Sequence, residues 1–212
     1  MDEMEHLDHF DHLEYVVDRN GVLTFVSDGW DEFARANDGH VRVLAADVVG
    51  RPLLDFIDGP TLKHLWAIVL DHVASTGRPV HLPFRCDGPG LIRMMDMFVE
   101  PAPDGGLRLV STVVQTTARP HASIIDVNAP RNHDRMLWMC SWCKRLQAQD
   151  RWINVDEAAR EFGLLEGNDV PEITHGLCPT CEREIVAELE KTARAGGEVS
   201  AACVDRGGLD LV

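Results

Sequence analysis

The chain has 212 residues, a hydrophobic content of 45% and a formal net charge of −15, which suits one large or two small globular domains. Acidic residues outnumber basic ones both in residues 1–120 and in residues 136–190, so nucleic acid, whose phosphates such a surface repels, is not expected as a partner. No apolar run approaches the ~20 residues that span a bilayer, and the acidic N-terminus lacks a secretory signal, so we expect a cytoplasmic protein without a membrane partner.

The first predicted element is a short N-terminal helix over residues 1–14. Leu7, Phe10 and Leu13 recur at a spacing of three, which predicts an amphipathic helix. Three histidines accompany them, and they fit either a solvated or partner-packing helix face or a metal-binding face; they are His6, His9 and His12.

Five strands and several helices are predicted over residues 15–118. The runs YVV and VLTFV flank Asp-Arg-Asn-Gly, a β-hairpin signal. A helix is expected at residues 29–37, and a longer one follows Asp58-Gly59-Pro60 and ends at Gly77. Three strand-like segments come next: PVHLPFRC, LIRMMDMFVEP and GLRLVSTVVQ. This order predicts an α+β fold with one five-stranded antiparallel sheet and helices on one of its faces.

The stretches VDRNGVLTFVS and VVGRPLLDFI, with this strand order, resemble a PAS domain. The segment HLPFRCDGPGLIRMMDMFVEP is more particular. It resembles a subfamily of bacterial PAS proteins with a Pro-Phe-Arg-Cys-Asp segment, whose members are similar to this chain in the cysteine-rich part as well. The resemblance spans most of residues 12–185 and implies no settled biochemical activity.

The resemblance implies an unidentified small-molecule ligand between sheet and helices. The reactive cysteine of flavin photoreceptors of this family is missing from PLLDFIDGP, so that chemistry is excluded. Haem sensors of the family use a histidine on the long helix. At about 100° per residue, His72 lies about 80° and His64 about 160° from the centre of the apolar stripe. Only His72 is therefore a candidate, on the flank of the helix.

Arg85 and Arg93, with Asp87 between them in the sequence, allow two interpretations. They form ordinary ion pairs at strand ends, or the two arginines recognise an anionic ligand or partner. Together with His72 they are the candidate ligand-pocket residues. Cys86, inside a predicted strand, is expected to be a small buried apolar residue.

Residues 119–135 contain two prolines and little periodicity, so we expect a linker with a short apolar anchor at Ile124–Ile125. Residues 191–212 are rich in Gly and Ala, and a flexible tail is expected there. Cys203, in this tail, has no evident role.

Two Cys-x-x-Cys pairs dominate residues 136–190. A structural zinc site needs four soft ligands, and two such turns supply two each; the four are Cys140, Cys143, Cys178 and Cys181. Residues 144–177 separate the pairs, which is more than the usual ribbon spacing, so a small subdomain must fill the gap. WINVDEAAREFG reads as strand into helix, and the second pair leads directly into the helix EREIVAELEKTARA. A turn plus a pair at a helix N-terminus predicts a treble-clef-like zinc module, in which metal binding and folding are linked.

Other interpretations of the cysteines remain open. An iron–sulfur cluster uses the same four thiolates, and MCSWCK has a partial likeness to a thioredoxin-type redox pair. Lys144 after the first pair excludes c-type haem attachment. His175, three residues before Cys178, is expected in the second shell or as an alternative ligand.

The sequence carries no catalytic constellation, so we do not expect an enzyme. We expect a cytoplasmic sensory or regulatory protein for signal transduction, acting through a ligand or protein partners. PAS domains often pair through a flanking helix, so a homodimer through the N-terminal helix and the PAS domain is expected. The alternatives are a haem- or ligand-binding gas or redox sensor, and a redox switch in which oxidation of Cys140 and Cys143 releases zinc.

Overall fold

A computed structural model of the chain describes residues 12–37, 43–161 and 170–194. Most of the predicted N-terminal helix, most of the predicted tail and Cys203 lie outside the described residues.

The first sheet has five antiparallel strands in the order β2-β1-β5-β4-β3. The strands are β1 (His12–Val17), β2 (Leu23–Val26), β3 (Val80–Arg85), β4 (Leu91–Pro101) and β5 (Leu107–Ala118). Alternate residues of β1, β3 and β4 are buried, as expected for a sheet with one covered face. The predicted five-stranded antiparallel sheet is confirmed.

Helices cover one face of this sheet, as predicted. They are α1 (Trp30–Ala36), α2 (Ala45–Val48), a single 3-10 turn (Leu53–Phe56) and α3 (Pro60–Thr76). Pro60 opens α3, and Gly77 closes it in the left-handed conformation. The α3 side chains of Leu65, Val69 and Val73 are buried in the same cluster as inward-facing residues of the sheet.

One correction concerns the N-terminus, because residues 12–14 are strand rather than helix. Leu13, Tyr15 and Val17 alternate into the core, and β1 pairs with β5 along its whole length. Leu13 fits a helical spacing of three with Phe10 and also a strand spacing of two with Tyr15. Pairing with β5 decides in favour of the strand.

The second sheet has the order β8-β7-β6-β9. Its strands are β6 (Arg131–Cys140), β7 (Leu146–Ala148), β8 (Arg151–Ile153) and β9 (Val170–Gly176), and two helices accompany it, α4 (Val155–Glu161) and α5 (Pro179–Arg194). β6 and β9 run parallel. The predicted strand-to-helix passage of WINVDEAARE is confirmed by β8 and α4. None of the described helices combines the length and apolarity needed to cross a lipid bilayer.

These elements shift two boundaries that the sequence suggested. Residues 131–135, expected in the linker, form the start of β6, and residues 191–194, expected in the tail, continue α5. The start of β6, RNHDR, is mostly exposed and has no apolar alternation. Its strand conformation depends on backbone pairing with β9, which leaves no pattern in the sequence.

The two parts of the chain share one hydrophobic core. A single buried cluster joins Val69, Leu82 and Leu109 of the first sheet and its helix to Ile185 and Leu189 of α5. A second, smaller cluster lies between the second sheet and α4, and includes Ile124 of the predicted anchor. The cysteine-rich part is therefore packed onto the first sheet rather than attached by a free linker.

Candidate metal centre

The first cysteine pair lies in a tight turn between β6 and β7. The Cys140 N–H donates to the Arg145 carbonyl at 2.8 Å, and the Lys144 N–H donates to the Cys140 carbonyl at 2.9 Å. Lys144 has a φ of 60°, in the left-handed region, which costs a non-glycine residue about 1–2 kcal/mol. This turn places the sulfurs of Cys140 and Cys143 on the same side of the chain, where one metal ion could bind both.

The second pair lies at the start of α5. Cys178 immediately precedes the helix and Cys181 is in its first turn. The Cys181 N–H donates to the Cys178 sulfur at 3.5 Å. The partial positive charge of a helix N-terminus favours the thiolate form of sulfur atoms near it.

Backbone contacts hold the two pairs against each other. The Ser141 N–H donates to the Gly176 carbonyl at 2.9 Å, and the Cys178 N–H donates to the Cys140 sulfur at 3.3 Å. A Cβ at Gly176 would lie 3.0 Å from the Trp138 ring, so a larger residue there would push this ring aside by a few tenths of an ångström.

The four cysteine sulfurs lie within 4.8 Å of one another. The Cys143 and Cys178 sulfurs are 3.7 Å apart, far beyond the ~2.05 Å of a disulfide bond. A tetrahedral zinc ion with sulfurs at ~2.3 Å would place neighbouring sulfurs about 3.8 Å apart. Cys140, Cys178 and Cys181 are buried and Cys143 is half-buried. The donor set and its spacing thus fit one tetrahedral thiolate-bound ion.

The electrostatics of the four sulfurs favour a cation among them. Hydrogen bonds from Cys143 and then Cys181 lower the pKa of Cys140. The same hydrogen bonds to Cys140 raise the pKa of Cys143 to about 12 and raise the pKa of Cys181 as well. By themselves Cys140, Cys143 and Cys181 favour one shared negative charge, and a divalent cation would make further thiolates favourable.

His175 lies outside this sulfur cluster. It is an exposed residue of β9, opposite Met139 of β6 in the parallel register. Among the described residues, the atoms that group together as possible metal ligands are the four sulfurs, and they do not include a His175 nitrogen. A second-shell role for His175 stays a prediction.

Trp142, inside the first Cys-x-x-Cys turn, connects the centre to the first sheet. Its ring is buried, with its centroid 5.9 Å from that of Trp66 on α3 and 6.0 Å from that of Phe84 on β3. Cys140, Cys178 and Cys181 belong to the same buried cluster. The candidate metal centre is thus packed against the main hydrophobic core.

His72 contacts α5 rather than a cavity. Its Nε2 lies 2.9 Å from the Thr192 hydroxyl oxygen, and Arg78, just beyond α3, donates to the Thr192 carbonyl at 3.1 Å. Burial lowers the pKa of His72, and Asp71 opposes that effect. In the part of the chain that the structure describes, His72 lines neither the cavity beside Arg19 and Gly105 nor the one beside Phe33 and Arg93.

Arg85 is engaged by Asp87, whose side chain is fully buried. The Arg85 Nε donates to an Asp87 oxygen at 3.1 Å, and its Nη2 bonds the other oxygen. Arg119, with a side chain only 3% exposed, lies 3.4 Å from the same carboxylate. This is the strand-end ion pair that the sequence suggested, although it is buried rather than exposed.

Arg93 faces the opposite way, into the region between α1 and the sheet. It is 6% exposed, and its Nη1 donates to the Asn37 side-chain oxygen at 2.8 Å and to the Cys86 carbonyl at 3.1 Å. Cys86 itself is half-buried. The structure thus separates the three candidate pocket residues, and of the three only Arg93 lines the cavity beside α1 and the β3–β4 turn.

Three residues of these contacts were missed in the sequence: Trp142, Thr192 and Arg119. The one available signal was the aromatic residue between the two ligand cysteines. Tryptophan side chains are highly buried on average, so Trp142 indicates that this turn packs against another part of the protein. Thr192 lies in the stretch expected to be a tail, and Arg119 in the expected linker, so no pattern indicated either.

No protein-family model matches the chain, and no curated protein matches it. Among solved structures, the PAS domain of Bordetella pertussis BvgS is similar, with 19% sequence identity over 56% of this chain and 88% of that chain, and a TM-score of 0.30.

Proposed function

We propose that this chain is a PAS-type sensory or regulatory signalling protein that carries one structural zinc ion on Cys140, Cys143, Cys178 and Cys181. The observation that carries the proposal is the sulfur cluster built into the core of the five-stranded sheet. Bound zinc would neutralise thiolates there and hold the turn after β6 to the start of α5.

A structural role is favoured over a catalytic one by the donor set. Four sulfurs complete the coordination of a tetrahedral ion, whereas catalytic zinc keeps an open position for water or substrate. Three of the four cysteines are buried, which limits access of a substrate. We therefore propose that the protein is not an enzyme.

The signalling part of the proposal rests on the family resemblance and on the absence of catalytic motifs from the sequence. It includes a cytoplasmic location, a protein partner and a homodimer formed through the N-terminal segment and the PAS-like sheet. Acidic residues exceed basic ones by 15, which disfavours nucleic acid as the partner.

Specific contacts bear on two alternatives, a haem sensor and a redox switch. A haem sensor would need a histidine free to bind iron, and the Nε2 of His72 is engaged by Thr192, which argues against it. A redox switch that releases zinc fits the cluster better, because the half-buried Cys143 offers an oxidant access to one of the sulfurs. An iron–sulfur cluster would use the same donors and would be coloured.

The test is elemental analysis of the purified full chain, with an absorption spectrum. One zinc per chain and no visible band are expected. Replacement of Cys140 or Cys178 by Ser should abolish stoichiometric zinc, whereas the matched control Cys86→Ser should retain it. Full zinc binding by the Cys178→Ser chain, or iron with a visible band, would contradict the proposal.

The redox alternative has its own measurement. Zinc release can be followed with a chromogenic chelator while hydrogen peroxide is added. Release that is reversed by a thiol reductant would favour the switch, and retention of zinc under peroxide would favour a purely structural ion.

A further inference from the structure

A small cavity of about 220 Å³ opens between α1, the turn that joins β3 to β4, and the segment after β5. Much of its lining is apolar, from Phe33, Leu91, Val113, Ile125 and Val127. Its volume is below the ~300–1,000 Å³ typical of pockets for drug-sized ligands. The cavity therefore suits a molecule of few atoms with an apolar body.

Among the described residues, one charged side chain in the cavity wall has no carboxylate as a salt-bridge partner. Arg93 is 6% exposed, yet within the part of the chain that the structure describes, the only polar partners of its guanidinium group are the Asn37 oxygen and atoms of Cys86. Its guanidinium carbon lies 5.3 Å from the centre of the Phe33 ring. None of these contacts is with a carboxylate, so none of them neutralises the positive charge of Arg93. A buried charge without a partner is costly, and proteins ordinarily pair it or use it to bind a ligand.

The nearest carboxylate in the wall does not fill that role. Asp87 also lines the cavity, but its oxygens accept hydrogen bonds from Arg85 and Arg119. The backbone N–H of Arg93 lies 3.3 Å from one of those oxygens. Two arginines already compensate this single carboxylate, so the charge of Arg93 is in excess, in a chain whose net charge is −15.

We infer that this cavity binds a small monocarboxylate with an apolar body, and that Arg93 is its anion-binding residue. Among the described residues, the Arg93 side chain bonds two neutral oxygens, both through Nη1, so its Nε and Nη2 donors remain for a ligand. Two parallel donors of a guanidinium match the two oxygens of a carboxylate. One guanidinium fork pairs with one carboxylate, and the apolar lining contacts the rest of the molecule.

The inference deepens the proposed function, because it names the class of ligand that a sensor of this type would detect. It rests on that proposal for its biological meaning only. The binding site itself lies on α1, the β3–β4 turn, β4, β5 and the segment after β5, and it includes none of the four cysteines of the candidate metal centre.

The experiment is isothermal titration of the zinc-loaded full chain with benzoate, and with benzamide as a neutral molecule of nearly the same shape. Benzoate is expected to bind and benzamide to bind far more weakly. Arg93→Gln should weaken benzoate binding about 10- to 100-fold, since it removes charge-assisted hydrogen bonds. Arg93→Lys, which keeps the charge and loses the fork, should give an intermediate loss. The matched control is Arg108→Gln, the same change on an exposed ion pair of β5, and it should bind as the parent does.

Three results would overturn the inference: no binding of benzoate, propionate or acetate to the parent chain, equal binding of benzamide, or unchanged benzoate affinity in Arg93→Gln. Near-ultraviolet circular dichroism and zinc content of each variant show whether it is folded, and Arg93→Lys keeps the test decisive where Arg93→Gln fails to fold. Failed binding by a folded, zinc-loaded chain would leave the zinc proposal intact, whereas missing zinc in the parent chain would contradict that proposal alone.

Discussion

The indole Nε1 of Trp142 donates a hydrogen bond of 2.7 Å to the carbonyl oxygen of Pro83. Two residues further along β3, the Arg85 N–H donates to the Trp142 carbonyl at 2.8 Å. β3 is one of the two edge strands of the first sheet, and open edges are sites of unwanted pairing. The turn that carries the first two cysteines thus closes the edge of the sheet.

Replacement of Trp142 should destabilise the whole protein. Trp142→Phe keeps an aromatic ring and removes the N–H, so a loss of about 1–3 kcal/mol in the free energy of unfolding is expected from the unpaired Pro83 carbonyl. Trp142→Ala removes the buried ring, and about 3–5 kcal/mol is expected. Urea unfolding of the zinc-loaded chain measures both. Trp138→Phe is the matched control, because Trp138 is 47% exposed, and a loss there as large as in Trp142→Phe would contradict the role given to the hydrogen bond.

Removal of the metal should loosen the first sheet as well as the cysteine turns. The metal-site cysteines belong to the same buried cluster as the apolar side chains of α3, which are Leu65, Val69 and Val73. The chain is therefore expected to lose its packing as one unit. Hydrogen exchange of the Arg85 amide, which bonds Trp142, should accelerate after chelation and return to its original rate after zinc is added back. Slow exchange at Arg85 in the chelated chain would instead indicate that the first sheet is stable without the centre.

The sequence predicted those features that leave a local pattern. The hairpin turn at Asp18–Gly21, the stripe and caps of α3, and the two cysteine pairs each follow from periodicity, turn chemistry or ligand spacing within a few residues. β9 and the start of β6 did not, because their pairing is between backbones far apart in sequence. The sharing of one core by both parts was also invisible, because Ile185 and Leu189 of α5 are apolar whichever surface they pack against.

Asp87→Asn should be strongly destabilising. Asp87 is fully buried between Arg85 and Arg119, and its neutralisation leaves two guanidinium groups without a counter-charge, for which about 3–5 kcal/mol is expected. Glu14→Gln is the matched control: Glu14 pairs with Arg108, whose side chain is 38% exposed, and about 0–1 kcal/mol is expected there. Denaturant unfolding at neutral pH compares the two, and similar losses in both variants would show that burial does not strengthen the Asp87 pair.

Acidification should weaken the contact between α3 and α5 through His72. Burial lowers the pKa of His72 in the folded chain, so the unfolded chain binds the proton more readily. The contribution of His72 is then fully present above its ordinary pKa of ~6.5 and is lost as the pH falls through the lowered value. His72→Gln should therefore lose less unfolding free energy than the parent between about pH 7.5 and 5.5. The control is His64→Gln, which changes an exposed histidine on the same helix. Acid-driven zinc release affects both variants equally, so a difference between them is due to His72. Identical pH profiles of the two variants would argue against the assignment to His72.

Alkaline pH should destabilise the protein through Tyr15. Burial raises the pKa of Tyr15, and the residue is 8% exposed with its ring 5.5 Å from that of Trp30. Because the folded chain holds the proton more tightly, this contribution is present below the unfolded pKa of ~10 and declines as the pH rises above it. Tyr15→Phe should match the parent closely near neutral pH, since among the described residues the hydroxyl bonds only the Met97 sulfur, at 3.8 Å. The variant should lose less unfolding free energy than the parent at high pH. Tyr15 is the chain's one tyrosine, so tyrosinate absorbance follows it directly. Its appearance at an ordinary tyrosine pKa in the folded protein would show that the ring is accessible to water, and the alkaline effect would then need another group.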